Sequence, residues 1–459
     1  MTNPTNGLLR HVRVRHTPAV ATVMFMFFAY FWLILTRGYE SDIRSHLILS
    51  TYCQSHACLQ LPHKGFSQAL TLSYSVLDVA GAAPIAEALA APAIHTMSAA
   101  FAGDIAILMR RGTIDTPDVL ADYHFALLHL SAALLLAFFV AANFYVIFLL
   151  IKVTVAARLK DGVCFALSLI TILVSAIYVP WFSGFVYFGQ WGPNSWHSPT
   201  TLMLRPLANL GFFLCATCFV STNAPPKRLV AFFAAVLLAS TWVKPSFAIT
   251  IIPALACFLI VTRPQSLKPW FSALAAALPT MLLIAAQTRS TYGVAAKVQS
   301  SIVVDFAAVW SQYTPSILVS ILLGLAFPLV SLIKHVVQAP PRWTFLAFAW
   351  LLVMVALIEG LLLAETGPRR MDGNLLWGYA ISMQVVFVFS VAEFARICLA
   401  PRVDLHPIAH TVPSLRGVAL SEGPPGLRRQ CITVAIVLLL HLLSGIYYLW
   451  RYGSVGNYH

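Results

Sequence analysis

Residues 33–50, LILTRGYESDIRSHLILS, place Glu40, Asp42, Arg44 and His46 where a long apolar run gives way to charge. Ionisable groups at the mouth of a membrane span are costly unless they have partners or work to do. Glu40 and Arg44 read as charges that solvate a helix end and answer to one another. Asp42 carries more chemistry. A carboxylate at the membrane–water boundary, partly desolvated beneath a long loop, is a competent general base for an attacking hydroxyl.

Three later stretches have side chains that could complete such a site. In YFGQWGPNSWHSPTTLMLRPLA, residues 187–208, Gly192, Pro193 and Asn194 form a turn signal. Trp191 and Trp196 offer flat apolar faces, while Gln190, Asn194 and His197 offer directional hydrogen bonds. That combination suits a sugar ring, and equally an aromatic anchor at a membrane interface. In STWVKPSF, residues 240–247, Lys244 lies between two apolar runs and either snorkels to headgroups or binds an anion. Pro245 breaks the helix beside it and frees amides at the start of the next, which favours the anion. In ETGPRRMDGN, residues 365–374, Arg369 and Arg370 present paired donors suited to phosphate. Glu365 and Asp372 could instead neutralise them locally. Arg289, Tyr292 and Lys297 are weaker candidates of the same kind.

The elements that must position these residues are membrane helices. Of 459 residues, 59% are hydrophobic and 10% charged, and the mean hydropathy is +0.81. These values belong to an all-α polytopic membrane protein with a single integral-membrane domain over residues 1–459. No internal repeat is present, which excludes solenoids and propellers. The apolar runs predict about eleven transmembrane helices, near 18–36, 124–151, 163–182, 201–221, 229–243, 246–262, 270–286, 315–333, 344–363, 375–395 and 431–449. Lys244-Pro245 interrupts what would otherwise be one long run across the fifth and sixth of these, with a broken pair reaching only partway across as the competitor. The first run follows Arg10, Arg13 and Arg15 and reads as a retained span that doubles as an insertion signal.

The formal charge of +13 lies mostly in short loops between spans, so it sets orientation and does not point to nucleic acid. With a cytoplasmic N-terminus, the inner segments hold 17 of the 29 Lys and Arg residues. The clusters at 39–46, 189–199, 244–246, 287–299 and 365–374 then all fall on the outer face, as parts of one site. Residues 37–123 form a large first outer loop, expected to carry helices lying along the membrane surface, with a hairpin-like excursion as the competitor. Cys53 and Cys58, in CQSHAC, lie on that oxidising side and suit either a local disulfide or two unpaired thiols. Cys164, Cys215, Cys218 and Cys257 read as small hydrophobes within spans. Residues 396–430 read as a cytoplasmic connector.

The chain contains no GxxxxGK[ST], HExxH or GxSxG motif, which argues against ATP hydrolysis, zinc proteolysis and α/β-hydrolase chemistry. The acidic residue after the first span (GYESD, residues 38–42, with His46 beyond), the large first outer loop, the later basic loop, WHSPT at 196–200 and KPS at 244–246 together resemble bacterial GT-C glycosyltransferases. The resemblance implies transfer of a sugar from a polyprenyl-phosphate donor to a glycan or lipid acceptor of the cell envelope, at the outer face of the bacterial inner membrane. It implies inversion at the anomeric carbon, with Asp42 as general base. Lys244, Arg369 and Arg370 would neutralise the leaving phosphate, and Glu40, His46, Gln190, Asn194, Trp196 and His197 would hold the sugar or acceptor. Residues 183–200 contain no Asp or Glu, where some members carry a second, metal-binding acid. Transfer without a metal is therefore the expectation, although Glu40 beside Asp42 leaves a divalent ion open. The rival readings are a flippase or transporter of a lipid-linked sugar, an O-antigen polymerase or ligase, and a purely structural membrane protein.

Overall fold

The structure, a computed structural model, describes residues 16–38, 42–55, 64–110, 113–114, 116, 123–155, 159–220, 225–262, 264, 266–292, 300–338, 344–399 and 427–456. Its helices are α1 (Thr17–Thr36), α2 (Asp42–Ser55), α3 (Lys64–Val79), α4 (Ala83–Ala90), α5 (Ile94–Arg110), α6 (Phe125–Thr154), α7 (Asp161–Leu173), α8 (Pro199–Phe219), α9 (Lys227–Val243), α10 (Ser246–Thr262), α11 (Lys268–Tyr292), α12 (Ile317–Gln338), α13 (Phe345–Leu362), α14 (Trp377–Phe394) and α15 (Leu427–Val455). Among the described residues, nine helical stretches are long and apolar enough to cross a membrane. α14 and α8 lie at the centre of the bundle, buried almost all round, whereas α1, α11 and α15 turn apolar side chains outward. An apolar exterior of this kind matches a lipid environment.

Eight of the nine stretches coincide with expected spans. The ninth, Ala83–Arg110, was expected to lie along the surface, its apolar residues looking too small and interrupted to cross. It forms α4, a turn of 3-10 helix at Ala91–Ala93, and α5. Asp104 of α5 receives a 2.7 Å hydrogen bond from Arg44 of α2, and Phe101 packs edge-on against Phe125 at the start of α6. The partner of Arg44 is therefore Asp104, sixty residues away, where a local partner was expected.

The helix expected over 163–182 stops at Leu173. Residues 174–198 continue as irregular backbone that surfaces around the exposed Trp181 and is buried inside the protein at 174–176 and 186–198. Such backbone is tolerated there only if its polar groups find partners. They do: the Asn194 amide donates to Thr171 O and Val174 O, Ser175 N donates to His441 O, and Ile177 N donates to Leu323 O. Gly189 O accepts from Ser320 Oγ and Trp310 Nε1. Gly445 makes this possible, because a Cβ there would lie 1.7 Å from Leu173 O.

α9 and α10 are separate helices, as the Lys244-Pro245 break predicts. Lys244 is extended, with φ −164° and ψ 128°, a conformation that proline imposes on the preceding residue. The all-α expectation needs one small amendment. An antiparallel ribbon joins β1 (Ile302–Val304) to β2 (Leu363–Glu365) and holds the loop that follows.

Two disulfide sites bear on the loops. Cys53 is disulfide-bonded, with Cys58 outside the described residues. Cys398 is bonded to Cys431, which ties the chain after α14 to the start of α15. That second bond flanks the segment expected to be a cytoplasmic connector, most of which lies outside the described residues.

Candidate functional site

Lys244 sits at the break between α9 and α10, only 4% exposed, with its Nζ 4.1 Å from the centre of the Trp377 ring. It donates to Thr201 Oγ1 at 3.3 Å, and that hydroxyl is in turn 2.9 Å from Ser198 Oγ. Pro245 fixes this position by ending α9. Burial pulls the Lys244 pKa down to about 7, against the opposing pull of the Asp42 and Asp372 carboxylates. Those two acids come from α2 and from the loop after β2, so two distant parts of the chain act on one ammonium group.

Asp42 is the first residue of α2 and is half-buried. A carboxylate in a helix's first turn is favoured by the helix dipole. His46 lies one turn further along α2, with its ring edge-on to Phe66 at 5.8 Å. Burial, reinforced by the Lys244 charge, pushes its pKa down to about 4, so the imidazole is neutral at ordinary pH. Glu40 lies outside the described residues.

Asp372 closes the 3-10 helix Gly367–Asp372. Beside it, Tyr313 donates to Met371 O, and burial together with Asp372 raises the Tyr313 pKa. Gly373 follows in the left-handed region, φ 61°, directly beneath Trp191, where a Cβ would come within 2.9 Å of the ring. Trp191 is itself a non-glycine residue at positive φ, 49°. Backbone held in that region costs on the order of 1 kcal/mol or more and persists where the surroundings enforce it.

The two basic candidates of this loop have carboxylate partners. Arg369 Nε lies 3.2 Å from Glu365 Oε1, and Arg370 Nη2 donates to Asp305 Oδ2 at 2.8 Å. Glu365 is buried and also accepts from the Tyr292 hydroxyl and from Asn374 Nδ2. Local neutralisation of both arginines is thus present. It comes from Glu365 and Asp305, and the Asp372 charge also acts on Lys244.

The 187–208 stretch packs inward. The His197 ring lies between Tyr187, Phe188, Trp377 and Tyr448, with Nδ1 2.6 Å from Tyr448 Oη. Trp196 stacks on Phe27 of α1 at 4.9 Å, so it is a core residue joining α1 to the start of α8. Asn194 caps α7 through its amide, a structural use that its neighbouring turn signal concealed. Gln190 is wholly buried, and neither its amide nitrogen nor its amide oxygen has a hydrogen-bond partner among the described residues.

Sequence reasoning missed three participants. Asp372 was read as a neutraliser of arginines, Trp377 was read only as part of a span, and Arg205 was passed over inside its apolar helix. The signal for Arg205 was available, since a guanidinium in the middle of an apolar run is itself an anomaly. Among the described residues no cluster of three His, Cys, Asp or Glu is arranged to hold a metal ion. No protein-family model, no curated protein and no solved structure matches this chain.

Proposed function

We propose that this protein is a membrane glycosyltransferase of the GT-C kind, moving a sugar from a polyprenyl-phosphate donor to an envelope glycan or lipid acceptor. The observation that carries the reading is the buried Lys244 ammonium on the face of Trp377, within the electrostatic reach of the half-buried Asp42 carboxylate. Acid and cation are the two groups such a transfer requires.

Asp42 takes the proton of the acceptor hydroxyl as its oxygen bonds to the anomeric carbon. The bond from that carbon to the donor phosphate oxygen breaks with inversion, and the lipid phosphate leaves carrying the electron pair. Lys244 lies where that charge develops, and a low-dielectric setting strengthens its effect. Trp377 supports the ammonium through its ring face and offers a surface for the sugar. Neutral His46 orients a hydroxyl. Arg369, tied to buried Glu365, shapes the loop carrying Asp372 and reaches the phosphate only by exchanging that partner.

The excess of Lys and Arg in the opposite loops supports a site end at the outer face of a bacterial inner membrane. The Cys398–Cys431 disulfide at the other end weighs against that orientation, because disulfides rarely persist in the cytosol.

Asp42→Asn is the decisive variant. Reconstituted protein should bind donor lipid with unchanged affinity and lose transfer by about 10²–10⁴-fold, the usual worth of a general base. Full activity of the asparagine variant would remove the assignment.

A further inference from the structure

Arg205 lies in the second turn of α8 and is 2% exposed. A guanidinium stays charged at any ordinary pH, so burial leaves a whole positive charge inside the bundle. No carboxylate among the described residues pairs with it. Its Nη2 donates to Ser195 Oγ at 3.2 Å, and its guanidinium carbon lies 5.8 Å from the centre of the Trp196 ring. The phenols of Tyr187 and Tyr448 are its electrostatic neighbours.

These residues form one enclosed group. Ser195, Trp196, Tyr187 and Tyr448 are all buried, and the two tyrosine rings have centres 5.8 Å apart. Arg205 and Tyr187 meet at the Ser195 hydroxyl. Tyr448 Oη is already engaged, accepting from Trp196 N at 3.2 Å and lying 2.6 Å from His197 Nδ1. Arg205 Nε, Tyr187 Oη and Trp196 Nε1 are buried without a well-formed hydrogen bond. Each of the three has a hydrogen to donate. Water would satisfy those donors and leave the charge uncompensated, whereas an anion answers both. Full enclosure and a single positive charge select a small, monovalent one. A phosphate dianion would exchange one uncompensated charge for another.

We infer that Arg205 Nε and the Tyr187 hydroxyl, walled by Trp196, hold a small inorganic anion of the halide class. The anion is structural. It ties the irregular 187–198 segment to α8 through Arg205 and lies beside α15 at Tyr448. The inference stands apart from the glycosyl-transfer reading and uses none of the residues given a role in it.

The test is thermal unfolding of the full chain in detergent at constant ionic strength, with sodium gluconate exchanged for chloride, bromide or phosphate. Chloride and bromide should raise Tm saturably, by about 2 °C or more over a roughly hundredfold range of concentration, as a ligand of the folded state alone does. Phosphate should do no more than gluconate. Crystals grown in bromide should place its anomalous peak against Arg205 Nε and Tyr187 Oη. Arg205→Met removes a charge that has no carboxylate partner among the described residues, so it should fold and lose the halide effect. Where that variant does not fold, Tyr187→Phe removes one donor and should raise the halide concentration at half-effect about tenfold. Four outcomes each overturn the inference and leave the transfer reading standing: equal Tm in gluconate and halide, a halide effect that the folded variant leaves unchanged, stabilisation by phosphate alone, or water in place of bromide at Arg205.

Discussion

Lys152 and Lys244 are both buried lysines at helix ends, at opposite ends of the bundle. Lys152 lies 2.9 Å from Asp161 Oδ1 and donates to Leu159 O at 2.8 Å. At the same end His16 also reaches Asp161, and His335 rests on Glu393, which Arg396 shares. Lys244 has a hydroxyl and an aromatic ring in contact, and acts on its carboxylates from farther away. Closed ion pairs hold helices together and leave nothing for a ligand. An ammonium with no carboxylate in contact among the described residues is less well compensated in the free protein than when an anion arrives.

Methionine at each position should separate these two uses by the widest margin. Lys152→Met leaves the partly exposed Asp161 carboxylate without its lysine, His16 remaining beside it, and should cost on the order of 1–2 kcal/mol in unfolding free energy, with transfer unchanged per folded molecule. Lys244→Met removes an under-compensated charge, so stability should hold or rise, while transfer falls by about 10²-fold or more. Denaturation curves and steady-state rates on both variants check this. A stability loss at Lys244 as large as that at Lys152 would erase the contrast.

A smaller effect concerns pH. The ammonium is present below its folded pKa of about 7 and lost above it, so donor affinity should be full near pH 6 and fall by up to tenfold per unit above pH 7. A bound phosphate will hold the proton longer and displace the midpoint upward. Stability moves the other way. Between pH 7 and the unfolded lysine's value near 10.4 the unfolded chain binds the extra proton, so stability rises with pH by up to about 1.4 kcal/mol per unit. Lys244→Met should lose both slopes.

The smallest expected effect is at the far end. If that end faces the cytosol, Cys398 and Cys431 are reduced in cells, and the double serine variant should leave transfer and stability unchanged. A loss of about 2–4 kcal/mol on replacing them would show that the bond forms in cells. The charge-based orientation would then be inverted.

Much of the scaffold was legible because membrane helices announce themselves locally. Twenty apolar residues span a bilayer wherever they occur, and Pro245 ends a helix whatever lies beside it. The candidate site was legible in part. Asp42, His46 and Lys244 stood out as charge or polarity at the ends of apolar runs, and the structure brings them together. Asn194 and Trp196 stood out for the same reason and are committed to capping α7 and to packing on Phe27. Nothing local distinguishes a polar side chain that meets a ligand from one that meets a neighbouring carbonyl.

Residue order alone determined that this chain is helical, apolar on its outside, broken at Lys244 and studded with polar clusters at its loop ends. Local hydropathy and proline chemistry suffice for that. Only the tertiary structure decided that Arg44 answers Asp104, that residues 186–198 fold back inside, that the Asp372 and Asp42 charges both act on Lys244, and that no described carboxylate pairs with buried Arg205. Each of these depends on which distant segments pack together, and the free energy of such contacts is a property of pairs that no single stretch of sequence contains.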